Sequence, residues 1–247
     1  MLSLPELLLA IAAFAAGVQN ALAGGGSFLT FPALLLTGLD PRAANVTSTI
    51  ALFPGQVATG LVGRRNVSGL PGLGLPALFA ISLVGGAIGA LLLLSTPVHV
   101  FSALVPWLVL FATVVFAWGN FFRKSGESQP HLGARTTAAM QFAISIYGGY
   151  FGGGIGILML AALTMAGATL RHAGSTKNVL GAVMNCSAVL IFIFSRDVAW
   201  RQVAIAGVTA LAGGQLGAHA LNYVNEKFLK VCVTALGLAL TVGLFLR

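Results

Sequence analysis

Two polar groups interrupt long apolar stretches of this chain: "NVTST" at residues 45–49 and "GSTKN" at residues 174–178. Each continues into the next apolar run along one helical face. Thr49 and Gln56 are seven residues apart, as are Asn178 and Asn185, a separation of two turns. Hydroxyls, amides and one ammonium on such faces suit an oxyanion, which accepts many hydrogen bonds and is drawn to positive charge. Thr47, Ser48, Thr49 and Gln56 are therefore candidate substrate-binding residues in the first group, and Thr176, Lys177, Asn178 and Asn185 in the second. Two plainer readings stand beside this one. Asn45, Ser175 and Thr176 could cap helix starts, and Lys177 could reach out to the membrane surface instead of facing a cavity.

Upstream of each polar group is a glycine triplet, Gly24-Gly25-Gly26 in "ALAGGGSFLTFP" and Gly152-Gly153-Gly154 in "YFGGGIGILML". In lipid a broken helix leaves N–H and C=O groups without partners, so breaks belong where protein or a wet cavity satisfies them. A short apolar segment follows each triplet, at 27–37 and 155–167. A break followed by a half-helix exposes the N–H groups and positive dipole end of that helix, which favours anions. Gln19 and Asn20 before the first triplet would complete such a site, with Gln141 and Tyr147 as second-half counterparts. The alternative use of glycine, close helix packing, better suits Gly85-Gly86-Gly89 and Gly213-Gly214-Gly217, which have no polar run beside them. His219, next to Gln215, is either a packing residue or a proton relay.

Of the 247 residues, 57% are hydrophobic and 7% charged, whereas a soluble domain carries about 25% charged residues. Continuous apolar runs without period-two alternation exclude a transmembrane barrel and indicate an all-α, polytopic transmembrane bundle. Thirteen Lys and Arg against five acids fall mostly between apolar runs, where they orient helices rather than bind nucleic acid. Cys186 and Cys232 lie inside apolar runs with no ligand spacing, so no metal or cofactor is expected. No HExxH, GxSxG or paired intramembrane acids occur, which points away from an enzyme, and no GxxxxGK[ST] indicates a built-in ATP drive. Ala21-Leu22-Ala23 looks like a signal-peptidase site, but no Lys or Arg precedes Arg42, so residues 4–22 read as the first membrane helix.

Apolar segments near 4–22, 27–37, 43–62, 72–94 and 98–119 precede a polar linker, "RKSGESQPHLGAR" at 123–135; five more follow near 136–149, 155–167, 175–195, 199–221 and 228–246. At an offset of 128 residues the glycine triplets coincide, and with small insertions Arg42 meets Arg171, Thr47 meets Thr176, and Arg65-Asn66-Val67 meets Arg196-Asp197-Val198. Five segments, a linker and five more indicate a duplication, with repeats at 1–122 and 136–247. An odd number of crossings per repeat inverts the second relative to the first. The bias of Lys and Arg then places the linker in the cytoplasm and both ends outside. The expected architecture is two inverted repeats with about 8–10 membrane segments, half-helices included.

The stretches "LAGGGSFLTFPALLLTGLDPRAANVTST" and "YGGYFGGGIGILMLAALTMAGATLRHAGSTKNVLGAVMN" resemble the sulfite exporter TauE/SafE family, also called the toluene-sulfonate uptake permeases. The likeness spans nearly the whole chain. One departure is Ser27-Phe28, where many members continue the glycine run with another small residue; the resemblance implies Ser27 as a further substrate-binding residue. The resemblance implies a multi-pass permease of the cell inner membrane, moving small sulfur-containing or organic anions of the sulfite, sulfonate or sulfoacetate type. Alternating access between two repeats is the expected mechanism, with an anion channel or a non-transporting membrane subunit as the alternative. Expected partners are the small anionic substrate, the lipid bilayer and a coupling proton or ion, with no nucleic acid; the oligomeric state is open, a homodimer included.

Overall fold

The computed structural model describes residues 2–22, 25–118, 132–220 and 226–246. Ten α-helices account for most of them: α1 (Leu4–Leu22), α2 (Ser27–Leu36), α3 (Pro41–Gly63), α4 (Leu75–Ser95), α5 (Val98–Ala117), α6 (Ala134–Tyr150), α7 (Ile155–Met165), α8 (Leu170–Phe192), α9 (Trp200–Ala220) and α10 (Glu226–Phe245). A single 3-10 turn, Arg64–Asn66, follows α3. The protein is an all-α bundle, as the apolar runs require. α4, α5 and Arg171–Phe192 of α8 are long and apolar enough to cross a membrane. α2 and α7, at ten and eleven residues, reach about 15 Å, half the roughly 30 Å hydrocarbon core.

Helix starts explain why the polar groups are not caps. The Asp40 side chain accepts from the Arg42 and Ala43 N–H groups with Pro41 in the first turn, and Thr169 accepts from the His172 N–H. These are strong N-terminal signals, and they move the starts of α3 and α8 upstream of the expected 43 and 175. "NVTST" and "GSTKN" consequently lie one turn or more inside their helices. Asn45 spends its amide on the Tyr150 carbonyl at 3.0 Å instead.

The two halves of the chain interlock. α1 packs on α9 and α4 on α6; α3 packs on α9 and α4 on α8; α3 packs on α8 and α5 on α10. Exchanging α1–α5 for α6–α10 in order converts each of these pairings into another or into itself, the pattern of a pseudo-two-fold. Equivalent hydrogen bonds follow the same rule: Ala199 N–H donates to Thr47 Oγ1 at 3.2 Å, and Ser68 N–H donates to Thr176 Oγ1 at 3.3 Å. α3 and α8 run antiparallel. Gln56 bonds Asn185, Gly60 faces Val179 and the Asn66 carbonyl bonds His172, so the chain rises past α8 as it falls. Likewise Thr113 lies beside Gly237 while Trp107 stacks on Phe245.

Small residues make the closest helix contacts. A Cβ on Gly89 would run into the Ile146 carbonyl oxygen, one on Gly149 into the Gly86 carbonyl, and one on Gly213 into the Phe14 carbonyl. The glycines at 85–89 and at 213 thus serve packing, as their spacing suggests.

One part-buried clasp ties the start of α3 to two loops. Arg42 donates through Nη2 to Asp197 Oδ1 at 3.1 Å and through Nη1 to the Thr96 carbonyl at 3.0 Å. Its Nε lies 3.0 Å from Asp197 Oδ2, close enough for attraction but not aligned as a hydrogen bond. Both side chains are 18% exposed, which moderates the effect. Arg42→Ala is expected to cost about 2 kcal/mol, because it strands the Asp197 carboxylate and the Thr96 carbonyl. Thermal unfolding in mild detergent measures it, and Arg42→Lys should recover only part, since an ammonium cannot reproduce the guanidinium fork.

Candidate substrate cavity

Each glycine-rich break folds the chain back on itself. α1 ends at Leu22 and α2 starts at Ser27, packed against it; Asn20 Oδ1 accepts from the Gly26 N–H at 2.7 Å and pins the turn. In the second half α6 ends at Tyr150 and α7 starts at Ile155. Gly25 (φ +89°) and Gly154 (φ +73°) hold left-handed backbone, a region that strains any residue with a Cβ. The result is two helical hairpins whose tips point at the middle of α3 and α8.

A cavity lies between those tips and the two long helices. α3 contributes Thr49, Leu52, Gln56 and Thr59, and α8 contributes Lys177, Asn178, Gly181, Ala182 and Asn185. The first hairpin supplies Asn20, Gly25 and Ser27; the second supplies Gly148, Phe151, Gly152, Gly154, Ile155, Gly156 and Met159. Asn185 Nδ2 donates to Gln56 Oε1. These two residues occupy matching positions on α3 and α8. Lys177, partly buried, donates to Asn178 Oδ1 at 2.9 Å, using one of its three N–H donors. It also stands beside the start of α7, where a Cβ on Gly156 would lie 3.7 Å from Nζ. The first helical bonds there run from Ile157 and Leu158 to the Gly154 carbonyl, so the Ile155 and Gly156 N–H groups have no partner within the helix.

Ten residues expected at a substrate site from sequence are brought together here: Asn20, Gly25, Ser27, Thr49, Gln56, Gly152, Gly154, Lys177, Asn178 and Asn185. Six others face elsewhere, each for a physical reason. Gln19 is fully buried on another side of α1. Gly26 turns its α-carbon toward the Ala16 carbonyl and the Asn20 side chain. Thr47 and Thr176 are spent on the backbone N–H groups of Ala199 and Ser68. Ser48 shares a buried hydroxyl pair with Thr30 at 2.6 Å. Gly153 lines a smaller neighbouring cavity with Phe28 and Phe31. Gly24 lies outside the described residues, as does the His219 side chain. Gln141 bonds Ser82 at 3.0 Å where α6 meets α4, and Tyr147 stacks on Phe111; neither lines the cavity.

The helical period accounts for the division. Thr49, Leu52, Gln56 and Thr59 follow one face at steps of three and four residues, while Thr47 and Ser48 are rotated off it. Extending the Thr49–Gln56 face by one step would have found Thr59, and extending Lys177 by one turn would have found Gly181. Phe151 carries no such signal.

A family model described as Sulfite exporter TauE/SafE matches residues 9–244. The chain belongs to this family. The matched span contains both glycine-rich breaks and every lining residue of the cavity. Among curated relatives of this TauE/SafE chain, a Sinorhizobium protein named probable membrane transporter protein ORF9 is 29% identical over 239 residues, covering 95% of this chain and 90% of its own length. The Escherichia coli probable membrane transporter protein YfcA is 28% identical over 240 residues, 94% of this chain and 86% of its own. A Haemophilus influenzae probable membrane transporter protein is 26% identical over 234 residues, 92% of this chain and 89% of its own. Each of these sequence likenesses spans most of both chains, both glycine-rich breaks of this TauE/SafE protein included.

Proposed function

We propose that the protein is a secondary permease for small anions, sulfur-containing or organic, of the sulfite, sulfonate or sulfoacetate type. One observation carries the reading: the cavity between the two hairpin tips holds the Lys177 ammonium and no acid among the described residues. A desolvated cation without a counter-charge costs several kcal/mol. The described acids are engaged elsewhere, Glu6 with Arg201, Asp40 as the cap of α3 and Asp197 with Arg42. The counter-charge is therefore brought by the ligand. Around it, amides of Asn20, Gln56, Asn178 and Asn185 and hydroxyls of Ser27, Thr49 and Thr59 offer the dense polar lining an oxyanion needs.

Alternating access follows from the arrangement of the halves. Antiparallel α3 and α8, and α5 and α10, agree with repeats of opposite topology that cross the cytoplasmic (inner) membrane several times, with the linker on the cytoplasmic side. Rocking one repeat against the other would expose a fixed central site to each side in turn. Nothing in this lining performs chemistry on the ligand; transport is the function, coupled to a proton or another ion.

Counterflow in proteoliposomes tests this. Vesicles preloaded with an unlabelled anion that the protein carries should take up the labelled anion faster than empty ones, and uptake should saturate. Non-saturating flux indifferent to preloading would mark a channel instead, and absence of any anion flux would mark a non-transporting subunit.

A further inference from the structure

The pseudo-two-fold that relates the hairpins does not extend to their charge. Lys177 sits one residue past Thr176, and its repeat counterpart, one residue past Thr47, is Ser48. That serine is buried against Thr30 at 2.6 Å and does not reach the cavity. The hairpin tips differ in the same sense. Asn20 takes up the Gly26 N–H at the start of α2, whereas its counterpart 128 residues on is Gly148, which has no side chain to do the same for α7. Among the described residues, positive charge in the cavity is therefore single and one-sided. The second repeat presents an ammonium beside the start of α7, and the first presents only neutral amides and hydroxyls, from Asn20, Thr49, Gln56 and Thr59.

Resting on the permease reading above, we infer that the substrate bears one negative charge, with its anionic group seated off the pseudo-two-fold against Lys177 and its uncharged remainder in the neutral first-repeat half. A monoanion leaves the occupied cavity neutral. A dianion would leave one charge desolvated and unpaired, which a low-dielectric site penalises. Among sulfur oxyanions this narrows the permease reading to alkyl sulfonates and singly protonated sulfite, and removes sulfoacetate from it along with sulfate and thiosulfate.

Methanesulfonate and sulfate share a tetrahedral sulfur–oxygen head and differ by one charge, so they isolate the effect. Affinities come from the thermal stabilisation of the purified full-length protein in detergent as each salt is titrated at constant ionic strength. Ethanesulfonate and 1,2-ethanedisulfonate serve as a second matched pair. Wild type should bind each monoanion at least about tenfold more tightly than its dianion partner. Gln56→Lys adds a second ammonium across the cavity and should shift that ratio about tenfold toward the dianion. Thr59→Lys, three residues along the same face, replaces it if the first variant does not fold.

Dianions bound as tightly as monoanions, or more tightly, by wild type would overturn the inference and leave the permease reading intact. A ratio unmoved in a folded lysine variant would also overturn it, since charge counting would not be what selects. Stabilisation by no anion of either charge would remove both readings together.

Discussion

Lys177→Ala is expected to abolish anion-dependent stabilisation of the protein while leaving its unfolding temperature without anion level or raised, because a cation without a counter-charge burdens the empty site. The side chain makes one hydrogen bond, to the neighbouring Asn178, and no ion pair with a described acid, so its removal takes little from the fold. A bound anion loses far more. A charge-assisted contact is worth about twice a neutral hydrogen bond, and losing a desolvated ion-pair partner costs about 3–5 kcal/mol, more than a hundredfold in affinity. A panel of sulfite, sulfate, thiosulfate, sulfoacetate, taurine and simple carboxylates, titrated against wild type and variant side by side, makes the measurement. Equal shifts in both proteins would take Lys177 out of the site. Lys177→Arg restores charge but not shape, and should recover part of the response.

The second large effect belongs to packing. Gly149→Ala places a Cβ against the Gly86 carbonyl, where α6 meets α4, and the obstacle is backbone that cannot rotate aside. Overpacking of this kind costs about 1–3 kcal/mol; the upper end is expected here because both helices must separate. Gly55→Ala is the control. It lies on α3, with nothing within 4 Å of the added carbon, and alanine is the better helix former by roughly 1 kcal/mol. Unfolding temperatures in detergent should therefore fall sharply for Gly149→Ala and stay level or rise for Gly55→Ala. A level result for Gly149→Ala would mean that the α4–α6 contact is looser than its geometry.

The helices were legible because lipid leaves the backbone few options. Apolar runs bounded by glycine, proline or charge gave ten segments close to the ten helices found. The misplaced starts of α3 and α8 share one cause, since Asp40 and Thr169 cap through side chains several residues before the polar clusters that drew attention. The candidate site was legible through spacing alone. Thr49 with Gln56 and Asn178 with Asn185 were found as faces, and both pairs line the cavity. Thr47, Ser48 and Thr176 were grouped with them by composition, yet a rotation of one or two residues sends each to a partner outside its own helix. Phe151 lines the cavity only because the second hairpin folds back, a tertiary fact with no local trace.

Interlocking of the two halves also governs how the protein is made. α1 finds its closest neighbour in α9, some two hundred residues later, and α4 finds its neighbours in α6 and α8. The half that leaves the ribosome first has therefore none of these contacts to make while it waits in the membrane. Its glycine-lined flanks stay against lipid until the matching helices of the second half are inserted. Domains that fold as they emerge complete themselves one after another; this chain must be finished before either half can be.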